Sequence, residues 1–345
     1  MNDRPPVVVV TGASAGLGRA IVREFSRQKA HIGLLARGRA GLQGAAREVE
    51  DAGGKAFAAP ADVSDPQQVE AAAEAIENAF GPIDIWINNA MVTVMSPVSR
   101  MKPEEYRRVT EVTYLGSVYG TLAALKRMLP RNQGVIVQVG SALAYRSIPL
   151  QSAYCGAKHA LEGFLSSLRT ELLHDGSNVR ITSVHMPALN TTQFGWMKNR
   201  LPNDPQPVPP IYQPEVGARA VVYAAQHPRR EMFVGISTVG AIVGNRIAPG
   251  LLDCYLARTG YESQQTDTPA DPASPNNLWL PVPGDHGAHG SFDDRSRNWS
   301  LQLWANTHRT SLAAAGAGII GAAVAAFISS RKSRSRWPLL RWKSR

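Results

Sequence analysis

Tyr154 and Lys158 stand four residues apart in the stretch SAYCGAKHALEGFLSSL, residues 152–168. A phenol and an ammonium at this spacing lie on one face of a helix, one turn apart. A free tyrosine, with a pKa of about 10, exchanges its proton poorly at neutral pH, and a nearby cation lowers that pKa. The pair has the residue types for acid–base chemistry, although the spacing alone also arises by chance.

A second candidate site is the glycine-rich stretch VVVVTGASAGLGRAIV, residues 7–22. Gly12, Gly16 and Gly18 fit TGxxxGxG between a strand-like and a helix-like segment. Such a turn lets the backbone approach a pyrophosphate, and the helix start offers unpaired N–H groups. The stretch therefore predicts dinucleotide binding. Its candidate residues are Thr11, Gly12, Ser14, Gly16, Leu17 and Gly18.

The end of the second strand-like segment indicates which dinucleotide is bound. Enzymes that use NAD place an Asp or Glu about 20 residues after the glycines, on the ribose 2′-hydroxyl. No acidic residue stands between His31 and Arg47, whereas Arg37 ends the strand and Arg39 follows. Because a guanidinium suits a 2′-phosphate, the sequence favours NADP (NADPH) over NAD. The alternative is that Arg37 is only a solvated loop cation.

Residues 7–260 alternate apolar strand-like runs with amphipathic helix-like runs. This order is typical of an α/β, Rossmann-type, doubly wound parallel sheet, and we predict one such domain over residues 5–260. The predicted strands are 7–12, 31–37, 83–90, 134–141 and 179–187, and helix-like segments include 17–30 and 66–80.

Several motifs stand in one order along this domain. They are TGxxxGxG at 11–18, ADV at 61–63, NNA at 88–90, Ser141, Tyr154 with Lys158, and MP at 186–187. In this order, and with Ser141 thirteen residues before Tyr154, the chain resembles the short-chain dehydrogenase/reductase family. The resemblance implies an enzyme that interconverts an alcohol and a ketone or aldehyde by hydride transfer.

In that family, Tyr154 would be the general acid in the reduction direction. Lys158 would lower its pKa and hold the nicotinamide ribose, and Ser141 would polarise the substrate carbonyl. The resemblance also implies a homodimer or homotetramer, formed through the helices bearing Thr113 and Tyr154. Further cofactor-binding residues that it implies are Asp62, Val63, Asn88, Asn89, Ala90, Pro187, Thr191 and Thr192.

Three positions depart from the family pattern. Thr113 replaces the asparagine of a proton relay, Met91 follows NNA in place of glycine, and Ala188 follows Pro187 in place of glycine. Thr113 remains a candidate catalytic residue, with the relay in doubt. These departures keep an alternative open, a non-catalytic NADP-binding sensor or membrane-associated scaffold on the same fold.

Residues 189–214 stand where the family keeps its substrate lid. The apolar side chains there predict a small apolar alcohol or carbonyl substrate, and the alternative is that they pack the lid onto the domain. They are Phe194, Trp196, Met197, Ile211 and Tyr212.

The net charge of +10 belongs mainly to the end of the chain. Without the seven Lys and Arg of residues 331–345, 30 basic residues face 27 acidic ones. We therefore predict no nucleic-acid partner.

The two cysteines, Cys155 and Cys254, indicate a reducing compartment. We also predict no metal site, because the His and Asp of GDHGAHGSFDDR (284–295) lack a rigid support.

The C-terminal third changes composition. We predict a Pro/Gly/Asp-rich linker over 261–305, as a tether or a fold-back over the site, then a hydrophobic helix over 306–330 and a basic tail over 331–345. The uncharged run 312–328 is short for a membrane span, since 17 residues rise about 25 Å against a core of about 30 Å. Three alternatives stay open for this segment. It forms a membrane span, a helix that contacts anionic lipid through 312–345, or a soluble helix. The domain is predicted to be cytoplasmic.

Overall fold

The computed structural model describes residues 4–312 together with Ala314 and Gly321. Seven strands form one parallel sheet in the order β7-β6-β5-β4-β1-β2-β3. These strands are β1 (Val7–Thr11), β2 (His31–Ala36), β3 (Lys55–Pro60), β4 (Ile85–Asn88), β5 (Val135–Ser141), β6 (Arg180–Met186) and β7 (Glu231–Phe233). The predicted doubly wound parallel sheet is confirmed.

The sheet changes winding direction between β1 and β4, because the chain builds outward from β1 to β3 and then crosses back to β4. Ligands of open α/β sheets bind beyond the carboxyl ends of the strands at such a switch point. Every residue of β1 is buried, and Val8 pairs with Ile32 on one side and Ile85 on the other. The glycine-rich loop after Thr11 therefore starts at the switch point.

Helices connect the strands, with α1 packed on α7 and α3 on α5. They are α1 (Gly16–Ser26), α2 (Arg39–Asp51), α3 (Pro66–Phe80), α4 (Pro103–Val109), α5 (Gly116–Met128), α6 (Ser152–His174), α7 (Pro214–Gln226), α8 (Ile236–Ile247), α9 (Pro249–Thr259) and α10 (Leu301–Thr307). A π-helical turn, Thr110–Leu115, joins α4 to α5. The start of α3 is set by local sequence, because the Asp65 side chain caps the amides of Gln67 and Gln68 and Pro66 is the first helical residue.

The polar segment 264–298 folds back onto the domain. Gln265–Pro269 pairs with Asn203–Pro205, and Ser296–Arg297 pairs with Ile211–Tyr212. Leu278, between these pairings, is fully buried. Of the two arrangements that the sequence left open, a tether and a fold-back, the structure shows the fold-back.

The described residues up to Ser300 form one compact unit, and those from Leu301 onward belong to a second. Helix α10, Leu301–Thr307, lies across the predicted boundary between the linker 261–305 and the helix 306–330. Apart from Leu312, Ala314 and Gly321, the predicted hydrophobic segment 312–328 and the basic tail 331–345 lie outside the described residues. Among the residues that are described, no helix combines the length and the apolar character that crossing a bilayer requires.

Candidate active site

The glycine-rich loop holds a backbone path that side chains would block. Gly12 and Gly16 have φ angles of +67° and +57°, in the region that favours glycine. A Cβ atom on Gly18 would lie 2.0 Å from the carbonyl oxygen of Gly12. Ala15, the N-cap of α1, makes no side-chain cap hydrogen bond. The start of α1 therefore combines a close backbone turn with amides that no side chain caps.

Thr11 ties this loop to the neighbouring strand β4. Its hydroxyl donates to the carbonyl of Ile87 at 3.3 Å and accepts the amides of Asn89 and Ala90 at 2.9 and 3.1 Å. The Asn89 side chain donates back to the Thr11 carbonyl at 2.9 Å. Asn88 points elsewhere, accepting from the Trp86 indole at 2.8 Å inside the core. Thr11 thus holds β1 to the end of β4, whereas the Asn88 side chain ties β4 to α5 through Ser117 and Thr121.

Ser141, Tyr154 and Lys158 meet beside the carboxyl end of β5. Ser141 is the last residue of β5, and its hydroxyl accepts the amide of Leu143 at 3.1 Å. Tyr154 and Lys158 lie in the first two turns of α6, with the Lys158 Nζ atom 5.6 Å from the centroid of the Tyr154 ring. Lys158 donates to the Val139 carbonyl at 2.7 Å. The three side chains thus form one cluster.

Burial sets the proton affinities in this cluster. It raises the pKa of Tyr154 above its ordinary value, and a hydrogen bond with Ser141 opposes that rise. Burial also lowers the pKa of Lys158 to about 8, against the opposing charge of Glu162. The chain alone therefore keeps Tyr154 protonated at neutral pH, while Lys158 is mostly an ammonium.

Thr113 lies in the π-helical turn and is fully buried. Its hydroxyl donates to the Val92 carbonyl at 2.9 Å and accepts the Val92 amide at 3.1 Å. A π-helical turn inside a helix often marks a functional site. Here the hydroxyl makes both of these hydrogen bonds to Val92, so its geometry indicates a structural contact that fixes the chain after the NNA motif.

A cavity of about 450 Å³ connects the glycine-rich loop with the Ser141–Tyr154–Lys158 cluster. This volume is in the range of cofactor and ligand sites, about 300–1,000 Å³. Apart from Thr11, Asn88 and Thr113, the predicted site residues all line it: Gly12, Ser14, Gly16, Leu17, Gly18, Arg37, Asp62, Val63, Asn89, Ala90, Ser141, Tyr154, Lys158, Pro187, Thr191 and Thr192.

Arg37 and Asp62 lie at the end of the cavity nearest β2 and β3. The Arg37 guanidinium donates to the carbonyls of Trp279 and Asn277 at 2.9 and 2.5 Å. Arg108, 2.5 Å from Asp62, forms an ion pair with it. Burial would raise the pKa of Asp62, but hydrogen bonds from Arg108 and Ser64 outweigh it and lower that pKa.

The sequence did not indicate two of the arginines near this cleft. Arg19, 2% exposed, binds Glu48 at 2.7 Å and Asp285 at 3.0 Å, while Arg108 also donates to the Leu278 carbonyl at 2.9 Å. Their partners at 278 and 285 belong to the polar segment, whose composition has no periodicity. The signal that the sequence does offer is the position of Arg19, which stands among the buried residues of α1.

The lid segment 189–214 has two kinds of apolar side chain. Phe194 and Trp196 line the cavity. Met197, Ile211 and Tyr212 are buried at 5%, 1% and 3% exposure, so for them the alternative, packing of the lid onto the domain, is what the structure shows.

The His and Asp residues of 284–295, considered above as metal ligands, pack against the domain. His286 lies edge-on to the Trp196 ring at 4.8 Å, and His289 lies between Glu215 at 2.8 Å and Asp293 at 3.0 Å. Throughout the part of the chain that the structure describes, no group of three or more His, Cys, Asp or Glu side chains is placed to hold a metal ion.

Known proteins with related sequences share this architecture. The family model of the short chain dehydrogenases matches residues 6–200, so the chain belongs to that family. The uncharacterized oxidoreductase YxnA of Bacillus subtilis (strain 168) is 32% identical over 79% of this chain and 77% of its own length.

Two mammalian relatives match a shorter part. Dehydrogenase/reductase SDR family member 7B of Mus musculus is 35% identical over 54% of this chain, and member 7 of Homo sapiens is 38% identical over 48%. The matched regions span 59% and 50% of those two relatives.

A solved structure gives the same fold. An alcohol dehydrogenase from the archaeon Thermococcus sibiricus, complexed with 5-hydroxy-NADP, superposes with a TM-score of 0.58 at 26% identity. The likeness covers 96% of that chain and 67% of this one. About a third of the present chain therefore has no counterpart in that structure.

Proposed function

We propose that this oxidoreductase uses NADP to interconvert an apolar alcohol and its ketone or aldehyde. The observation that carries the proposal is the single cavity that joins the glycine-rich loop to Ser141, Tyr154 and Lys158. Bound NADPH would supply a hydride to the carbonyl carbon. The chain's own part is then to bind, to orient and to deliver one proton.

The glycine-rich loop fits the pyrophosphate of a dinucleotide. Because Gly18 has no Cβ, α1 can begin close against the Gly12 carbonyl, and it begins without a side-chain cap. Gly16 lies against the lid start, where its Cβ would be 3.3 Å from Thr191 and 3.6 Å from Thr192. A helix N-terminus in this setting favours an anion.

Tyr154 would donate its proton to the carbonyl oxygen while Ser141 donates a hydrogen bond to the same oxygen. In the cofactor-free chain burial raises the pKa of Tyr154, so the phenol carries at neutral pH the proton that it would donate. The Lys158 ammonium would favour the phenolate that remains. For alcohol oxidation the same groups act in reverse, and Tyr154 accepts the proton.

The substrate half of the cavity supports an apolar substrate. Met91, Leu143, Ile148, Phe194 and Trp196 contribute to its lining. Among the described residues, the Asp, Glu, Lys and Arg side chains that line the cavity are Arg37, Asp62 and Lys158, all assigned to the cofactor half or the Tyr154 cluster. A carbonyl compound with a charged group would lose hydration there without gaining an ion pair.

A turnover panel tests the proposal. We expect the protein to reduce apolar ketones or aldehydes faster than small charged ones, and with NADPH faster than with NADH. Arg37→Ala should lower the NADPH/NADH ratio of kcat/KM about tenfold, because a charge-assisted hydrogen bond contributes about 1.5–3 kcal/mol. Arg47→Ala, which removes an exposed cation of α2, is the matched control. NADPH binding without turnover of any compound would instead favour a non-catalytic sensor.

Self-association is part of the proposal. Leu122 on α5 and Leu173 on α6 are 54% and 77% exposed. Exposed leucines on α5 and α6 suit a homodimer or homotetramer formed through these two helices. Light scattering of the purified chain should give two or four copies, and Leu173→Glu should reduce that mass.

A further inference from the structure

Residues 276–293, here called the strap, cross the cofactor cleft near Arg37. Both terminal nitrogens of the Arg37 guanidinium donate to strap carbonyls, those of Asn277 and Trp279. Between them, Leu278 is fully buried and belongs to the same apolar cluster as Val63 and Val112. The first fastening of the strap therefore combines an apolar anchor with two charge-assisted hydrogen bonds.

A second fastening lies at the glycine-rich loop. The Asp285 carboxylate accepts from both terminal nitrogens of Arg19 at 3.0 and 3.3 Å, and the Gly287 carbonyl accepts the Gly16 amide at 3.0 Å. Gly44 of α2 makes room for this carboxylate, because a Cβ there would lie 1.8 Å from an Asp285 oxygen. The strap is thus attached to the loop proposed to hold the pyrophosphate.

A third fastening reaches the lid segment 189–214. The Asn277 amide donates to the Trp196 carbonyl at 2.9 Å, and the Gly290 amide to the Asn190 carbonyl at 3.3 Å. The Asn190 side chain donates to the Asp293 carboxylate at 2.8 Å. One continuous segment therefore contacts the proposed adenosine end, the phosphate loop and the lid.

The strap leaves space beneath it. Pro281, Val282, Gly284 and His286 line the same cavity as the glycine-rich loop does. The strap therefore has the position of an outer wall over the cleft.

We propose that the strap is a cofactor-binding element, the outer wall of the adenosine half of the nucleotide site, and that NADP(H) leaves only when it lifts. This inference rests on the nucleotide binding in the proposed function. Because the strap also holds the lid at Trp196 and Asn190, its release would loosen the substrate side as well. The strap then sets how long the cofactor stays bound.

Two substitutions weaken the second fastening without touching Ser141, Tyr154 or Lys158. Asp285→Asn removes the charge that pairs with Arg19. Gly44→Ala pushes the Asp285 side chain away and is otherwise favourable in a helix, so the domain stays folded. Their matched controls are Asp294→Asn, an exposed acid just beyond the strap, and Gly163→Ala, where a Cβ meets nothing within 4 Å.

Stopped-flow fluorescence of NADPH with the full chain measures the association rate and the dissociation rate of the nucleotide. We expect the dissociation rate and the Kd to rise about tenfold in both variants, and neither control to change, because one charge-assisted contact is lost.

Two results would overturn the inference. One is an unchanged dissociation rate in both variants. The other is faster association with a lower Kd, which would make the strap a plug in the nucleotide's place. Failure of the proposed function looks different, because the wild-type chain itself would then bind neither NADPH nor NADH, and the inference would fall with it.

Discussion

The substitution Gly18→Ala tests the shape of the phosphate loop. It has two opposite effects on the free energy of unfolding, a gain in helix propensity and a loss from steric overlap. Gly18 lies in α1, where alanine is favoured over glycine by about 1 kcal/mol. The new Cβ would, however, lie 2.0 Å from the Gly12 carbonyl oxygen and 2.7 Å from the Asn89 side-chain nitrogen. The first contact is to backbone, so the loop itself must move.

Moving that loop disturbs Gly12, whose φ of +67° favours glycine, and the hydrogen bonds from the Asn89 side chain to the carbonyls of Thr11 and Gly12. Overpacking of this kind costs about 1–3 kcal/mol, and occasionally more. We expect a net loss of about 2 kcal/mol in the free energy of unfolding and at least a tenfold weaker NADPH affinity.

The assay combines denaturant unfolding with an NADPH titration. Gly163→Ala in α6 is the matched control, because a Cβ there meets nothing within 4 Å. It should be stabilised by up to about 1 kcal/mol and bind NADPH normally. A Gly18→Ala protein as stable as the control, with wild-type affinity, would refute this reasoning.

Three further predictions concern polar groups that are buried or partly buried. Thr113→Val should lower the free energy of unfolding by about 1–3 kcal/mol, because the Val92 amide and carbonyl lose their partner, and an unchanged melting temperature would contradict this. Lys158→Met should abolish turnover yet stabilise the cofactor-free chain at pH 7 by up to about 3 kcal/mol, because the folded-state pKa of about 8 lies below the unfolded value of about 10.4. This gain in the free energy of unfolding should vanish as pH rises from 8 to 10.4. A difference between the two proteins that does not change with pH would count against the prediction. For Glu48, burial would raise the pKa, but hydrogen bonds from Arg23 and Arg19 lower it to about 2, so its stabilisation is present above pH 4.5 and lost as pH falls from 4.5 to 2. Because Glu48 is 31% exposed, Glu48→Gln should remove only about 1–2 kcal/mol, measured as a flatter acid-unfolding curve.

The parts of the fold that were predicted depend on local pattern. Strands β1, β2, β4, β5 and β6 are apolar runs, and each was placed within a few residues of its observed ends. β3 and β7 were missed for physical reasons. β3 is an edge strand whose residues are mostly exposed or half-buried, and β7 has only three residues. Both obtain their conformation from a neighbouring strand rather than from their own hydrophobicity.

The candidate site divides in the same way. The loop at Gly12–Gly18 and the Tyr154–Lys158 pair are short-range arrangements, and the structure places both at one cavity. The strap contacts of Arg37 with Trp279 and of Arg19 with Asp285 join residues 242 and 266 positions apart in the chain. Nothing in a polar stretch without periodicity indicates which distant surface will satisfy its carbonyls and carboxylates.

Thr113 shows a second limit of sequence reasoning. Its position matches the asparagine of a proton relay and leaves that relay in doubt, but the sequence does not indicate that the fully buried hydroxyl bonds the backbone of Val92. Side-chain type and spacing identify where a group lies along a helix. They do not show which neighbouring backbone atoms will take its hydrogen bonds.

The central claim is that Tyr154 moves a proton while the rest of the site holds the cofactor. The most direct test is the kcat of Tyr154→Phe at saturating NADPH, with the NADPH Kd of the same protein measured by titration. The account predicts a kcat at least about 100-fold lower with a Kd within a factor of about three of wild type, because general acid catalysis contributes about 10²–10⁴-fold. Turnover retained by Tyr154→Phe would contradict the account.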